Sequence, residues 1–311
     1  MTARPRPALV RAGDFLVAGL AGGLFRLMRT LGPERASNLG AAFARAIGPR
    51  LPVSNVARAN LRAAFPDADA TWIERTTRDV WDNLGRTVAE YPHLGSFPHR
   101  DKLAEGVGYV VDGARHFEAA RDAGRPAILV SAHLGNWEML PAASFQNGLP
   151  VGLIYRAVGN PRIDRMIRSF RASATAGDDA PLFPKGAEGA RGAIAHLQAG
   201  RSLGILADQK MNDGIAVPFF GRPAMTASAP AQLALRYDAV VLPCHCVREG
   251  PGRFRVVVEP PLALPATGSR AERAQALTEA ITTRIESWVR AHPGQWLWLH
   301  RRWPKGPALP P

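Results

Sequence analysis

Residues 127 to 140 read AILVSAHLGNWEML. Ala127 to Ser131 form an uncharged, largely apolar run, the pattern of a strand buried on both faces of a sheet. His133 follows almost at once, and Glu138 stands five residues further on, across Leu-Gly-Asn-Trp. The next stretch, NWEMLPAASFQ, has helical character, so His133 and Glu138 straddle a strand-to-helix turn. Turns of this kind, at the carboxyl ends of strands, are where open α/β sheets gather their ligand sites. Gly135 permits a tight backbone there, and Asn136 suits an N-cap that would leave Glu138 in the first turn of the helix.

The same alternation continues outward from this stretch. GYVVDG, VGLIYR, LGILAD, AVVLPCHC and RFRVVVE read as further strands. ARHFEAARDAG and NPRIDRMIRSFRA read as helices between them, the second with an apolar stripe of Ile163, Met166, Ile167 and Phe170. Strand and helix in turn predict an α/β fold with a mixed, largely parallel sheet covered on both faces. Upstream, residues 8 to 92 are helical throughout, with turn signals at Gly32-Pro33, Gly48-Pro49 and Pro66-Asp67. DATWIERTTRDVWDNLGRTVAEY places Trp72, Thr76, Val80, Leu84 and Val88 near helical spacing, as a long amphipathic helix does. The division expected is an N-terminal helical region, 1–95, joined to an α/β core, 96–311. The most loop-like interior stretch is SATAGDDAPLFPKGAEGARG.

Hydrophobic residues make up 46% and charged residues 21% of the 311 residues, which excludes a disordered chain. The net charge of +13 favours an anionic partner: nucleic acid, phospholipid headgroups or an acidic carrier protein. No RNP-type motif, zinc knuckle or clustered basic run supports the first. The N-terminal ALVRAGDFLVAGLAGGLFRLMRTLG is apolar and helical in period, yet only 11 uncharged residues separate Asp14 from Arg26. A membrane span needs roughly 20. An amphipathic helix lying in the interface, its arginines meeting anionic lipid, fits better than a span or a secretory signal. A helix packed on its own domain is the competing reading. Cys244 and Cys246 alternate with His245 along one strand, as two core side chains of a reducing compartment would.

A histidine at a strand end can take a proton from an alcohol or amine, and a carboxylate on its other ring nitrogen fixes the tautomer and raises its basicity. No G-x-S-x-G elbow exists in the chain, so a serine nucleophile is unsupported. The spacing is not H-E-x-x-H, so zinc ligation from one helix is unsupported too. By its spacing alone, His133 and Glu138 also fit a structural pair at a turn. If the pair is catalytic, the base activates the substrate's own hydroxyl and the acyl group passes directly, without an acyl-enzyme.

SAHLGNWE resembles the H-x4-[DE] signature of the lysophospholipid acyltransferase superfamily, and more narrowly that of the late acyltransferases of lipid A biosynthesis. IYRAVGNPRIDRMI is similar to that family's tyrosine-arginine block, LGILADQKMNDGIAVPFFGRPAMTASAP to its Ala-Asp-Gln block and Pro-Phe-Phe-Gly loop, and HPGQWLWLHRRW to its tryptophan-rich close. These blocks come in family order over roughly residues 10 to 303. The resemblance implies that His133 is the general base and Glu138 its orienter. It implies that Arg156 binds an acceptor phosphate or the tetrahedral oxyanion, and that Asp208 and Gln209 position Arg156 or substrate. Asn136, Lys185 and Arg222 are further substrate-contact candidates. PFFG (218–221) is read either as a wall of an acyl channel or as core, and Trp296, Trp298 and Trp303 either as an interfacial belt beside Arg301 and Arg302 or as a packed C-terminal helix. The expected reaction moves a fatty acyl chain from acyl carrier protein, or from a coenzyme A thioester, to a lipid A precursor. It needs no metal or redox cofactor. A lysophospholipid, an aminolipid or a mannosylated inositol lipid is the alternative acceptor, and the cytoplasmic face of the inner membrane the expected place. A scaffold that keeps the fold without turnover is the remaining class.

Overall fold

The computed structural model describes residues 8–175 and 180–304. Four helices lead: α1 (Ala8–Leu31), α2 (Pro33–Ile47), α3 (Ser54–Ala64) and α4 (Ala70–Glu90). Asp69 caps α4, its side chain accepting from the Trp72 N–H at 2.7 Å. The inward face of α4 is not the whole expected stripe. Thr76 and Val80 are buried, but Val88 is exposed, and the buried positions nearer the C-terminus are Asn83, Thr87 and Glu90 beside Ala89. Polar residues face inward there because they hold a neighbouring turn, described below.

The α/β portion runs β1 (Gly108–Asp112), α5 (Ala114–Asp122), β2 (Ala127–Ser131), α6 (Met139–Gln146), β3 (Val151–Tyr155), α7 (Pro161–Ala174), β4 (Leu182–Pro184), α8 (Ala187–Gln198) and β5 (Ser202–Leu206). It continues through β6 (Lys210–Phe219), β7 (Arg222–Thr226), α9 (Ala229–Tyr237), β8 (Val240–Gly250), β9 (Arg253–Val258) and α10 (Arg270–Ala291). Seven strands form one sheet in the order β1-β9-β8-β2-β5-β3-β4, parallel except where β9 runs against β8. The largely parallel sheet expected from the sequence is the one observed, and β2 lies at its centre. Two strands of the described chain, β6 and β7, form a separate antiparallel hairpin closed by Phe220 and Gly221, both at positive φ. The stretch read as loop contains β4 and the start of α8; residues 176–179 of it lie outside the described residues.

Every residue of β2 is buried, and its side chains divide between two cores. Ile128 and Val130 join Leu203, Ile205 and Val241 on the face covered by α3, α8, α9 and α10. Ala127 and Leu129 join Leu242, Cys244 and Cys246 on the face covered by α5 and α6. His245 points the other way and stacks on Trp288 at 4.6 Å, as the alternation of the strand requires. Burial pushes both thiols up to about 12, so neither is a nucleophile.

The C-terminal tryptophans form neither a belt nor a helix. Trp296, Trp298 and Trp303 are at most 6% exposed and pack with Phe219 and Phe220, so the two phenylalanines of PFFG are core. Among the described residues no helix is long and apolar enough to cross a membrane. Helix α1 packs on α7, with the rings of Phe25 and Phe170 5.2 Å apart and Asn160 Nδ2 donating to the Asp14 carbonyl at 2.8 Å. Its other face leaves Phe15, Leu16, Leu20, Leu24 and Leu27 at least half exposed, and Leu39 and Phe43 of α2 add to the apolar surface.

Candidate active site

The turn after β2 is tied down on three sides. Gly135 has φ 57°, and a Cβ there would meet the Cys246 carbonyl oxygen at 2.2 Å, so only glycine fits. Its carbonyl accepts from Asn83 Nδ2 at 2.9 Å and from Thr87 Oγ1 at 3.2 Å, both on α4. The C-terminal segment straps the opposite side: Gly135 N–H donates to the Gln295 carbonyl, and Leu297 N–H to the His133 carbonyl. The inward polar residues of α4 thus fix the backbone that carries His133.

Asn136 belongs to this scaffold and not to a substrate surface. It is fully buried, and its Nδ2 donates to Glu90 Oε2 at 2.8 Å. Glu90 is in turn paired with Arg248, whose Nε donates to Asn83 Oδ1 at 2.8 Å. Helix α6 begins later than expected, with Glu138 and not Asn136 as the residue before its first turn.

The carboxylate on His133 is that of Asp208. Ring Nδ1 of His133 lies 2.8 Å from Asp208 Oδ1, while the His133 backbone N–H donates to Asp208 Oδ2 at 2.8 Å. The register of the sheet explains the pairing. Ser131 of β2 sits opposite Leu206 of β5, and two residues beyond each stand His133 and Asp208. Trp296 Nε1 donates to Asp208 Oδ2 at 2.7 Å. Burial by itself would raise the Asp208 pKa, but the positive charge that His133 carries when protonated and the hydrogen bonds from His133 and Trp296 outweigh it and hold it down to about 2. An ionised Asp208 makes Nδ1 the protonated nitrogen and leaves Nε2 as the acceptor. Gln209 Nε2 approaches that Nε2 at 3.4 Å.

Glu138 does not orient His133. Arg171 on α7 grips it with Nε to Oε2 at 2.7 Å and Nη2 to Oε1 at 2.6 Å. Tyr91 Oη and Trp137 Nε1 also donate to Oε1, at 2.8 and 3.0 Å. With both oxygens engaged and the side chain 3% exposed, this is a buried ion pair joining α7 to the turn. Burial works to raise the Glu138 pKa, and Arg171 overrides it, keeping the group below the usual carboxylate range. Trp137 stands between Glu138 and His133: its Nε1 donates to the one, and its ring meets the other's edge-on at 5.0 Å.

Beyond Trp137 lies a narrow cavity of about 60 Å³ between the sheet and α6. Leu129, Leu140, Leu153, Gly204 and Cys244 wall it, and Glu138 and Arg171 close one side. Around His133 two more basic groups gather. The His300 ring is 6.5 Å away. Burial lowers the His300 pKa, and the positive fields of His133 and Arg156 lower it further, against the pull of Asp208. Arg156, directly after β3, is exposed and has no carboxylate partner among the described residues. Lys185 follows β4 in the same way, exposed, with its backbone N–H bonded to the Tyr155 carbonyl. Arg222 is elsewhere, at the start of β7 over the Trp303 ring.

The structure brings His133, Asp208, Gln209 and His300 to one place, with Arg156 near enough for its charge to be felt at His300. His300 carries no separate signal in the sequence, and Trp296 reads there only as a belt or packing residue, although both lie in the tryptophan-rich close. Tyr91 and Arg171 carried no sequence signal beyond their helices.

Residues 6–305 match the family described as bacterial lipid A biosynthesis acyltransferase. The chain is 30% identical over 230 residues, 71% of its length and 68% of the relative's, to the phosphatidylinositol mannoside acyltransferase of Mycobacterium tuberculosis. It is 23% identical over 252 residues, 78% of its length and 73% of the relative's, to the lipid A biosynthesis acyltransferase of Haemophilus influenzae. Among solved structures, the 1-acyl-sn-glycerophosphate acyltransferase of Thermotoga maritima matches with a TM-score of 0.40 at 13% identity, covering 91% of this chain and 99% of that one. With the family matched over nearly its whole length, this chain belongs to the bacterial lipid A biosynthesis acyltransferases.

Proposed function

We propose that the protein transfers a fatty acyl chain from a carrier-protein thioester to a hydroxyl of a lipid A precursor, with His133 as general base. The observation that carries this reading is the hydrogen bond from His133 Nδ1 to ionised Asp208, which leaves Nε2 free to accept a proton. The acceptor hydroxyl gives its proton to Nε2 as its oxygen attacks the thioester carbonyl. The oxyanion that forms is met by donors on the open side, Arg156 foremost and Gln209 beside Nε2. Collapse breaks the carbon–sulfur bond, and the departing sulfur takes the proton back from Nε2, so base and enzyme return to their starting state.

The exposed apolar face of α1 and α2 suits the surface of a bilayer, where a lipid acceptor resides. The inner membrane's cytoplasmic leaflet, with its anionic lipids, suits a chain of charge +13. A second acceptor, a mannosylated inositol lipid, is favoured by the higher identity to the mycobacterial relative. The deciding experiment is transfer from labelled acyl carrier protein to a panel of lipid A precursors and mannosylated inositol lipids, with His133→Ala as control. Turnover of lipid A precursor that vanishes in the variant supports the reading. Turnover of the inositol lipid alone keeps the mechanism and replaces the acceptor.

A further inference from the structure

A second cavity, of about 450 Å³, opens between α3 and the C-terminal segment. Three arginines line it, Arg62, Arg222 and Arg301, and no carboxylate does. Arg62 and Arg301 are exposed and make no ion pair among the described residues. Arg222 lies over the Trp303 ring, 5.7 Å from its centroid. Two donors at this wall are shut from solvent without a partner: Arg222 Nε and Trp303 Nε1. Buried donors left unsatisfied are few in folded proteins, and these two lie behind the basic wall of the cavity, out of reach of solvent. Guanidinium groups converging on a cavity of this size match a phosphate, which takes paired N–H bonds.

The cavity is coupled to the catalytic histidine through one residue. Asn60 lines it, and Asn60 Nδ2 donates to the carbonyls of Trp298 and His300 at 2.8 and 2.7 Å. The His300 ring on the far side is the one 6.5 Å from His133. A ligand with its phosphate among the arginines and its reactive end at His133 would run past Asn60 and His300, a course that suits an extended arm. We propose that this cavity binds the phosphate of the thioester donor's phosphopantetheine arm. The assignment rests on the acyl-thioester reading, since that arm is common to carrier-protein and coenzyme A donors.

The test is an NMR titration of the full-length protein with 4′-phosphopantetheine and with pantetheine, which differ by the phosphate alone. The phosphorylated compound is expected to bind at least about tenfold more tightly. The difference should disappear in the Arg62→Gln/Arg301→Gln double variant, whose two exposed sites leave the fold intact, and persist in His133→Ala. Arg222→Lys, which keeps the charge and removes Nε, should lose part of it. Equal affinity for the two compounds, or an undiminished difference in the double variant, overturns the proposal. So does inorganic phosphate binding as tightly as phosphopantetheine, which would make this a general anion site. In turnover, the double variant should raise the KM for donor. A rise confined to phosphorylated lipid acceptors, absent with their dephosphorylated forms, would assign the site to the acceptor instead. Because binding is read without turnover, phosphate-dependent binding in a protein that transfers no acyl chain would sink the catalytic reading and leave the site standing.

Discussion

Asp208 holds His133 at two points, accepting from its backbone N–H and from its ring Nδ1, each at 2.8 Å. Two bonds to one carboxylate fix the turn and the imidazole together, so the ring has one tautomer and one direction. An amide in place of the carboxylate keeps the size but loses the charge that favours a protonated Nδ1. Asp208→Asn is expected to lower kcat roughly a hundred- to ten-thousand-fold, with KM little changed, as loss of an orienting carboxylate does in comparable base systems. Steady-state kinetics on folded protein, checked by circular dichroism, measure it. A kcat within a few-fold of wild type would remove Asp208 from the mechanism.

Glu138 is expected to fail differently. It is buried against Arg171, and removing one partner of such a pair leaves the other charged and unpaired. Glu138→Ala should cost about 3–5 kcal/mol of stability. The milder Glu138→Gln should lower the melting temperature yet retain more activity per folded molecule than Asp208→Asn. Thermal melts beside active-site-normalised rates separate the two. If Glu138→Gln loses kcat as heavily as Asp208→Asn while melting like wild type, Glu138 acts in the chemistry.

The contrast between these two acids marks how far the sequence could be read. The strand AILVS and the histidine after it were legible, because a run buried on both faces leaves its mark in composition. So were the other five strands quoted at the outset, all of which form. The partner carboxylate was not legible as such. Glu138 is near His133 along the chain, but helix α6 turns it toward α7 and Arg171. Asp208 is 75 residues away and arrives because β5 neighbours β2 in parallel register. Its position two residues past the end of its strand, like that of His133, was the available signal, and it acquires meaning only once the strand order is known. Strands β4, β6 and β7 were missed for local reasons. The first has three residues, and β6, KMNDGIAVPF, carries glycine, proline and asparagine where alternation should be. Asn83, Thr87 and Glu90 escaped notice because an amphipathic reading of α4 looks for apolar residues on the buried face, and here the buried face does polar work.

Acid should destabilise the site in a defined window. The Asp208 pKa is depressed to about 2 in the folded protein, and that of Glu138 is depressed too. Unfolded carboxylates titrate near roughly 4. A depressed folded value gives stability that is complete above the unfolded pKa and is lost as pH falls through the folded one. Urea midpoints should therefore be insensitive to these two groups above about pH 5 and fall between about pH 4 and 2. Asp208→Asn should flatten part of that fall. An unchanged slope in the variant would show that Asp208 titrates normally.

The apolar face of the N-terminal helices gives the last expectation. Phe43 is 67% exposed and Leu20 68%, on adjoining helices that leave Phe15, Leu16, Leu24, Leu27 and Leu39 exposed as well. Water gains nothing by contact with them, whereas a lipid interface would bury them, at roughly 1.5–3 kcal/mol for each side chain fully inserted. Because neither contributes to the core, Phe43→Asp and Leu20→Asp should leave the melting temperature within about a degree or two of wild type. Each should weaken binding to vesicles containing anionic lipid by roughly tenfold or more, measured by sedimentation. Arginine neighbours make a second contribution, so raising the salt concentration should weaken wild-type binding without abolishing it. Were both variants to bind vesicles like wild type, the face would have to meet something other than a bilayer, and the first place to look would be self-association, by sedimentation velocity with and without the substitutions.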